Sequence, residues 1–311
     1  MKKIIIDENT DGQKITRFMQ KSYPNMKVGN IYKWLRDKRI KINGKKASDS
    51  YILRKNDILE LYINDTDLVQ DNGISFNTNG VGSLDVVYED DNIVLINKPV
   101  GVISQDDDKN DEDTVNNRLI KYLIDKKTWW PGKELSYQPA IVNRLDRNTK
   151  GIIIAAKNTS AARILSEKIK SKEVEKYYIA KIHGIIDPKQ GVLKDFLTKD
   201  SNNNIVKVTK KPISNDSVEI ITEYKTISHD KINSFIEIYL RTGKTHQIRA
   251  HMNYIGHPLF GEKKYTSINF HDNEKYQNLT SYKVKFNWKT DAGILNYLKG
   301  KVFSIDVKTN I

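Results

Sequence analysis

The sequence predicts an α+β chain, with a small helix–helix–hairpin unit in front of a larger domain built on a mainly antiparallel mixed sheet. Three observations carry that expectation. Residues 13–46 pass from helical periodicity to short alternating segments across an Asn43-Gly44 turn. Residues 64–83 are polar, rich in Gly and Asn, and aperiodic. From Leu84 onward β-rich runs outnumber helical stretches and seldom alternate with them, which argues against a doubly wound sheet.

Taken in order, "KITRFMQKSY" places Ile15, Phe18 and Met19 on one helical face. After Pro24, "KVGNIYKWLRDKRI" gives a second helix with Ile31, Trp34 and Leu35 turned inward. "KINGKKA" follows as a hairpin. The expected division is a first domain over 1–70, a linker over 71–83 and a second domain over 84–311. In that second domain, "LDVVYEDDNIVLINKP" reads as two strands around an Asp-Asp-Asn turn. Further strands are expected at 151–156, 177–182, 218–226 and 234–240, with helices near 114–125 and 159–170. The acidic run from Asp106 to Asp113 reads as a solvated loop, and no internal repeat is found.

Composition narrows the function classes. The chain has 311 residues and 38% apolar content, enough for about two domains and too much for global disorder. Lys and Arg number 52 against 39 Asp and Glu, a formal charge of +13. Such a surplus favours a polyanionic partner, because cations set on phosphates release condensed counterions. Eight basic residues lie within 27–46 (Lys27, Lys33, Arg36, Lys38, Arg39, Lys41, Lys45 and Lys46), against the single acid Asp37. A solvated helix face normally mixes signs, so this stripe is expected to face phosphates. No apolar run approaches the ~20 residues of a membrane span, and Met1–Ile6 is too short for a signal-peptide core. The absence of cysteine excludes disulfides, thiolate zinc sites and a cysteine nucleophile. A cytoplasmic, monomeric protein with no membrane attachment is expected.

Two motifs prove to be decoys. "GKT" at 243–245 would need a glycine five positions before Gly243 to form a phosphate loop, and that position holds Ile238. His246, His251 and His257 lack the spacing of a helix-borne zinc site, so no metal is expected. Two charged segments embedded in apolar sequence remain. In "AIVNRLDRNTKGIIIAAK" an apolar run breaks for Asn143-Arg144-Leu145-Asp146-Arg147 and then resumes. Burying those charges without partners would cost roughly several kcal/mol. In "RTGKTHQIRAHMNYIGHPLFGE" a strand ends at Arg241-Thr242-Gly243, and Thr245 is expected to cap a helix starting at His246, with Arg249 in its second turn. A structural salt bridge between the two segments is the bland explanation. The sharp one is a carboxylate held ionised by a guanidinium for chemistry on a ribose, with RNA as substrate.

The segments then resemble a known family. "NRLDRNTKG" matches the Arg-Leu-Asp-x-x-Thr-x-Gly signature of the RluA-type pseudouridine synthases. "EKYYIAKIHG" is similar to their Lys-x-Tyr strand, "INKPVGVIS" to their Lys-Pro-x-Gly segment, and residues 241–265 to their C-terminal signature. The likeness spans about 84–265. In front of it, residues 13–63 resemble the alpha-L RNA-binding motif of ribosomal protein S-four. Two positions depart from the family pattern: Asn143 stands where His is commoner, and Lys150 where Ser is commoner.

The resemblance implies a cofactor-free isomerase that breaks the N1–C1′ bond of a uridine, turns the uracil and rejoins it through C5. It implies structured RNA as partner, most naturally large-subunit (23S) ribosomal RNA. By position, Asp146 would be the catalytic carboxylate, attacking C1′ or taking the 2′ proton. Arg249 would be its partner, and Tyr178 would stack on the target uracil and help remove the C5 proton. RNA contacts would come from Arg144, Arg147, His246 and Gln247, and from Lys33, Arg36, Lys38, Arg39, Lys41, Lys45 and Lys46 in the first domain. A catalytically silent RNA-binding or ribosome-assembly protein is the rival reading, and it predicts loss of Asp146, Tyr178 or Arg249. All three are present. A nucleobase glycosylase would need a second group to activate water, and no candidate beyond Asp146 stands out.

Overall fold

The computed structural model describes residues 1–7, 10–23, 26–64, 68, 80–105, 113–130, 137–200, 205–266, 268, 270, 272 and 274–307. Most of the expected linker and the acidic run over 106–112 lie outside the described residues. The chain opens with β1 (Lys2–Ile5), α1 (Ile15–Ser22), α2 (Val28–Arg36), β2 (Ile40–Ile42), β3 (Lys45–Lys46) and β4 (Ile58–Leu61). These strands form a four-stranded sheet in the order β1-β4-β2-β3. The helical faces expected from the sequence are the buried ones: Ile15, Phe18, Met19, Ile31, Trp34 and Leu35 share one core with Ile40, Leu59 and Leu61. The β2–β3 hairpin turns through Asn43 and Gly44, both at positive φ, as a two-residue turn matched to strand twist requires.

The rest of the chain builds an eleven-stranded sheet. Its elements are β5 (Val86–Glu89), β6 (Ile93–Lys98), α3 (Val115–Asp125), β7 (Ala140–Ile141), β8 (Lys150–Ala156), α4 (Thr159–Lys170) and β9 (Val174–His183). They continue with β10 (Gln190–Asp200), β11 (Ile205–Thr209), β12 (Val218–His229), β13 (Asn233–Leu240), α5 (Gln247–Tyr254), β14 (Leu279–Phe286), a 3-10 helix (Gly293–Leu298) and β15 (Val302–Ser304). The strand order is β11-β10-β12-β13-β9-β14-β8-β6-β5, with β15 on β14 and β7 on β8. Only the β14–β8 pairing among the described strands is parallel. The α+β class with a mainly antiparallel sheet is therefore as the sequence predicts. Side chains start two of the helices. Thr114 accepts from the Asn117 amide at 3.0 Å for α3, and Asn158 accepts from the Ala161 amide at 2.8 Å for α4.

The apolar run of β8 is explained by burial on both faces. Ile153 and Ala155 pack with Val94 and Ile96 beneath α3 and α5. Ile152 and Ile154 pack with Ile93 and Leu95 against α4 and the 3-10 helix on the other side. A strand covered on both faces reads as a continuous hydrophobic run rather than an alternating one. The charges that interrupt the run belong to the turn between β7 and β8, outside both layers. Gly151 begins the buried stretch at a φ of +116, and a Cβ there would stand 2.2 Å from the Ser281 carbonyl oxygen. The glycine of the Thr-x-Gly signature thus allows β14 to approach β8.

Candidate active site

The turn over 143–149 is built to present Asp146. The Leu145 amide donates to Ser104 Oγ at 3.0 Å, and that hydroxyl donates back to the Leu145 carbonyl at 2.7 Å. The Thr149 amide donates to the Asp146 carbonyl at 3.0 Å, closing the turn. Lys98 ends β6 with a fully buried side chain, and its ammonium donates to the carbonyls of Pro99 (2.9 Å), Val102 (2.6 Å) and Arg147 (2.8 Å). Burial pushes the Lys98 pKa down to about 8, while the nearby Asp146 charge acts in the opposite sense. Asn143, the departure from the family pattern, accepts the Ile154 amide on its Oδ1 at 2.8 Å and so pins the start of the turn to β8. Arg144 and Arg147 are exposed on the same turn, as is Lys150 just beyond it.

Arg249 approaches Asp146 from α5, with Nη1 3.5 Å from Oδ2. The contact joins residues 103 positions apart, as expected of the two charged segments. The guanidinium's shorter bonds, however, go to Glu262: Nε to Oε2 at 2.7 Å and Nη2 to Oε1 at 2.8 Å. Glu262 is buried and also accepts the amides of Lys264 (2.8 Å) and Tyr265 (3.3 Å). Burial alone would raise the Glu262 pKa, but Arg249 and the two amides outweigh it and hold the carboxyl below its ordinary range. Burial likewise opposes the Arg249 charge, and Glu262 and Asp146 more than restore it.

Two expectations about α5 need correction. The helix begins at Gln247, so Arg249 lies in its first turn, and His246 precedes it at a φ of 54 in the left-handed region with no side-chain cap. Thr245 does not cap the helix. The reason is Gln247, whose Oε1 accepts from the Lys244 amide (3.1 Å) and from Thr242 Oγ1 (3.0 Å). Its Nε2 donates to the Ile221 carbonyl and to Thr222 Oγ1. Gln247 is only 2% exposed with its amide fully occupied, so this geometry gives it an anchoring place rather than the expected surface contact with RNA. One turn on, His251 completes the anchor, with Nε2 3.0 Å from Asp195 Oδ2 and Nδ1 2.9 Å from Thr222 Oγ1.

Tyr178 projects from β9 into the same core as Leu145 and Ile248 and is 6% exposed. Burial, reinforced by the nearby Asp146 charge, pushes its phenol pKa well up, while the Ser281 hydroxyl opposes the shift. Its hydroxyl is therefore protonated at neutral pH. His246 closes the site, with Nε2 3.8 Å from Asp146 Oδ2 and Nδ1 2.6 Å from the Tyr265 hydroxyl. Asp146, Arg249, Tyr178 and His246 thus share one site. Lys33, Arg36, Lys38, Arg39, Lys45 and Lys46 are exposed on the N-terminal unit, whereas Lys41 is half-buried over the Tyr62 ring. Glu262, Tyr265 and Lys98 lie within the quoted motifs, but the sequence assigns them no role. Their signal is position inside a charged segment, with nothing to say which partner each would take.

Comparison with known proteins shows the family. A family model described as RNA pseudouridylate synthase matches residues 92–254. An RNA pseudouridine synthase of Mycoplasma capricolum is 31% identical, covering 97% of this chain and 96% of its own length. The ribosomal large subunit pseudouridine synthase C of Rickettsia bellii is 30% identical over 92% of this chain and 93% of its own. The structure of human RNA pseudouridylate synthase domain containing 4 shares the fold at a TM-score of 0.56 and 18% identity, covering 72% of this chain and 89% of that one. The chain belongs to the RNA pseudouridylate synthase family, in its RluA-type branch. It is accordingly an isomerase that converts uridine in RNA to pseudouridine.

The Arg249–Glu262 pair yields a prediction. Glu262→Gln leaves the buried guanidinium with only the longer Asp146 contact as counter-charge, which costs up to about 3–5 kcal/mol at neutral pH. Because the folded pKa of Glu262 lies below its unfolded value, its contribution is present above the unfolded pKa and lost as pH falls through the folded one. Urea unfolding across pH should therefore show a gap between wild type and Glu262→Gln that narrows below about pH 4.5. A gap independent of pH contradicts the assignment.

Proposed function

We propose that Asp146 is the group that acts on the ribose of the target uridine, either as nucleophile at C1′ or as base toward the 2′ proton. The observation that carries this reading is a carboxylate 26% exposed at the mouth of an otherwise buried site, with a fixed guanidinium 3.5 Å from Oδ2. Arg249 orients that carboxylate and supplies counter-charge. The Tyr178 ring stacks on the flipped uracil, and base–aromatic stacking contributes ~1–3 kcal/mol toward the cost of unstacking. Its protonated phenol is not a ready base for the C5 proton, so the aromatic face is its main contribution. Arg144 and Arg147, exposed on the turn that carries Asp146, contact the RNA beside the target nucleotide.

The substrate in this reading is large-subunit ribosomal RNA, because several relatives are named for that RNA, among them those of Borreliella burgdorferi and Rickettsia bellii. Residues 1–70 act as an alpha-L RNA-binding domain, joined through residues 71–83 to a catalytic domain over 84–311. In support, the first unit has its own core and presents Lys33, Arg36, Lys38, Arg39, Lys45 and Lys46 on its surface. In this reading the enzyme works as a monomer in the cytoplasm, where a large-subunit ribosomal RNA substrate is found.

Asp146→Asn is nearly isosteric but can neither attack as an anion nor accept a proton. Tritium release from C5-tritiated ribosomal RNA should fall to background, with the melting curve and RNA affinity close to wild type. Turnover by Asp146→Asn with a lowered Tm would instead make Asp146 a structural residue. For the N-terminal stripe, replacing Arg36, Arg39, Lys45 and Lys46 by Ala should flatten the plot of log affinity against log salt. Each phosphate that the variant no longer neutralises should reduce the slope by about 0.7–0.9. An unchanged slope would remove the stripe from the RNA interface.

A further inference from the structure

His246 lies against Asp146, yet the chemistry at the ribose gives it no part. It is set by an unusual backbone, since a non-glycine residue at a φ of 54 occupies a sparsely populated region. Its ring is 12% exposed and fixed at both ends, with Nδ1 2.6 Å from the Tyr265 hydroxyl and Nε2 3.8 Å from Asp146 Oδ2. The Tyr265 oxygen already accepts the Val206 amide at 3.4 Å, and its ring faces the Arg249 guanidinium. Burial pushes the Tyr265 phenol pKa up to about 12, so the phenol keeps its proton and has Nδ1 to give it to. The neutral imidazole then carries its hydrogen on Nε2, pointing into the space beside Asp146. With Nε2 3.8 Å from Oδ2, the donor is beyond full hydrogen-bond reach of the carboxylate and is left for an acceptor from the substrate.

We propose that His246 Nε2–H donates to the uracil carbonyl flanking the glycosidic bond, and so stabilises the departing base. This rests on Asp146 acting at the ribose, because it is the ribose end of the nucleotide that brings the flanking carbonyl near Asp146. When the N1–C1′ bond breaks, its electron pair leaves with the uracil and is shared among N1, O2 and O4. A preorganised donor on O2 is strongest at that point. Turning the ring to bring C5 over C1′ exchanges the places of N1 and C5, and with them those of O2 and O4. The carbonyl beside Nε2 is therefore O2 before the turn and O4 after it, and one donor serves both halves of the reaction. C5 then bonds to C1′ as Asp146 is regenerated, either displaced as carboxylate from C1′ or returning the 2′ proton to C2′. The C5 proton leaves to solvent and N1 takes one up, so the step is balanced without any co-reactant.

A neutral ring is required, and the surroundings favour it. Burial lowers the His246 pKa below its ordinary value of 6.5. Asp146 and Glu262 oppose that shift, and Arg249 and Lys264 reinforce it. Protonation would cost Nδ1 its acceptor role toward Tyr265 and would draw the charged ring onto Asp146, occupying the carboxylate. The rate should therefore fall on the acid side of the His246 pKa.

The test is single-turnover tritium release from unmodified, C5-tritiated large-subunit ribosomal RNA at saturating enzyme, with filter binding beside it. His246→Ala should lower the rate by about 10²–10³-fold, the usual cost of one such donor, with RNA affinity within about threefold of wild type. His246→Gln, whose carboxamide N–H can reach the same acceptor, should recover much of the rate and lack the imidazole's acid limb. A wild-type rate for His246→Ala, a loss confined to RNA affinity, or a Gln variant no better than Ala overturns the proposal. Asp146→Asn run in parallel separates the two readings. If it is silent while His246→Ala is fully active, only the donor role fails; if Asp146→Asn turns over, the carboxylate reading fails.

Discussion

The bidentate bond between Arg249 and Glu262 fixes the geometry on which the rest of the site depends. A planar guanidinium held at Nε and Nη2 by one carboxylate is fixed in its plane, and this sets Nη1 3.5 Å from Asp146 Oδ2. The pair is buried, where two charges are costly unless their hydrogen bonds are satisfied, and the Lys264 and Tyr265 amides complete the Glu262 oxygens. Tyr265 in turn holds His246. One ion pair therefore relays position to the guanidinium, the imidazole and the carboxylate they face.

The scaffold brings the two halves of this arrangement together from distant sequence. Asp146 stands on a turn leading into a strand buried on both faces, and Arg249 stands on a helix packed over one of those faces. The turn is held by the Ser104 hydroxyl and the Lys98 ammonium, the helix by Gln247, His251, Thr222 and Asp195. Neither element is positioned by contacts that require substrate, which is the condition for electrostatic preorganisation. With Asp146 in its proposed role, the chemistry asks for one carboxylate at the sugar rather than the two that glycoside hydrolysis uses, because the base returns to the same carbon.

Much of this was legible in the sequence, for identifiable reasons. The apolar run over 151–156 announced a strand, and the charged break at Asn143–Arg147 an interruption before it, because apolar runs and charge interruptions are local signals. The helices near 114–125 and 159–170 were also expected, and they form over Val115–Asp125 and Thr159–Lys170. The strands Gln190–Asp200, Ile205–Thr209 and Leu279–Phe286 were not foreseen: they carry many polar or charged side chains and no long apolar run, and their pairing is set by distant neighbours. In the site, Asp146 and Arg249 could be matched because each interrupted apolar sequence. Glu262 could not, since its partner lies 13 positions away across a helix end and a loop. Thr245 looked like a cap and Gln247 like an exposed contact because sequence does not reveal the left-handed turn at His246 that places one outside the helix and buries the other.

The central claim is that Asp146 meets the ribose of a uridine drawn out of its stack. The most direct measurement is a crystal structure of the Asp146→Asn protein bound to a ribosomal RNA fragment protected by the enzyme. The account predicts C1′ of the extruded uridine within about 3–3.5 Å of the residue 146 side chain, with its uracil against the Tyr178 ring. An RNA that binds with every ribose well beyond that reach, or with another side chain at C1′, would contradict it.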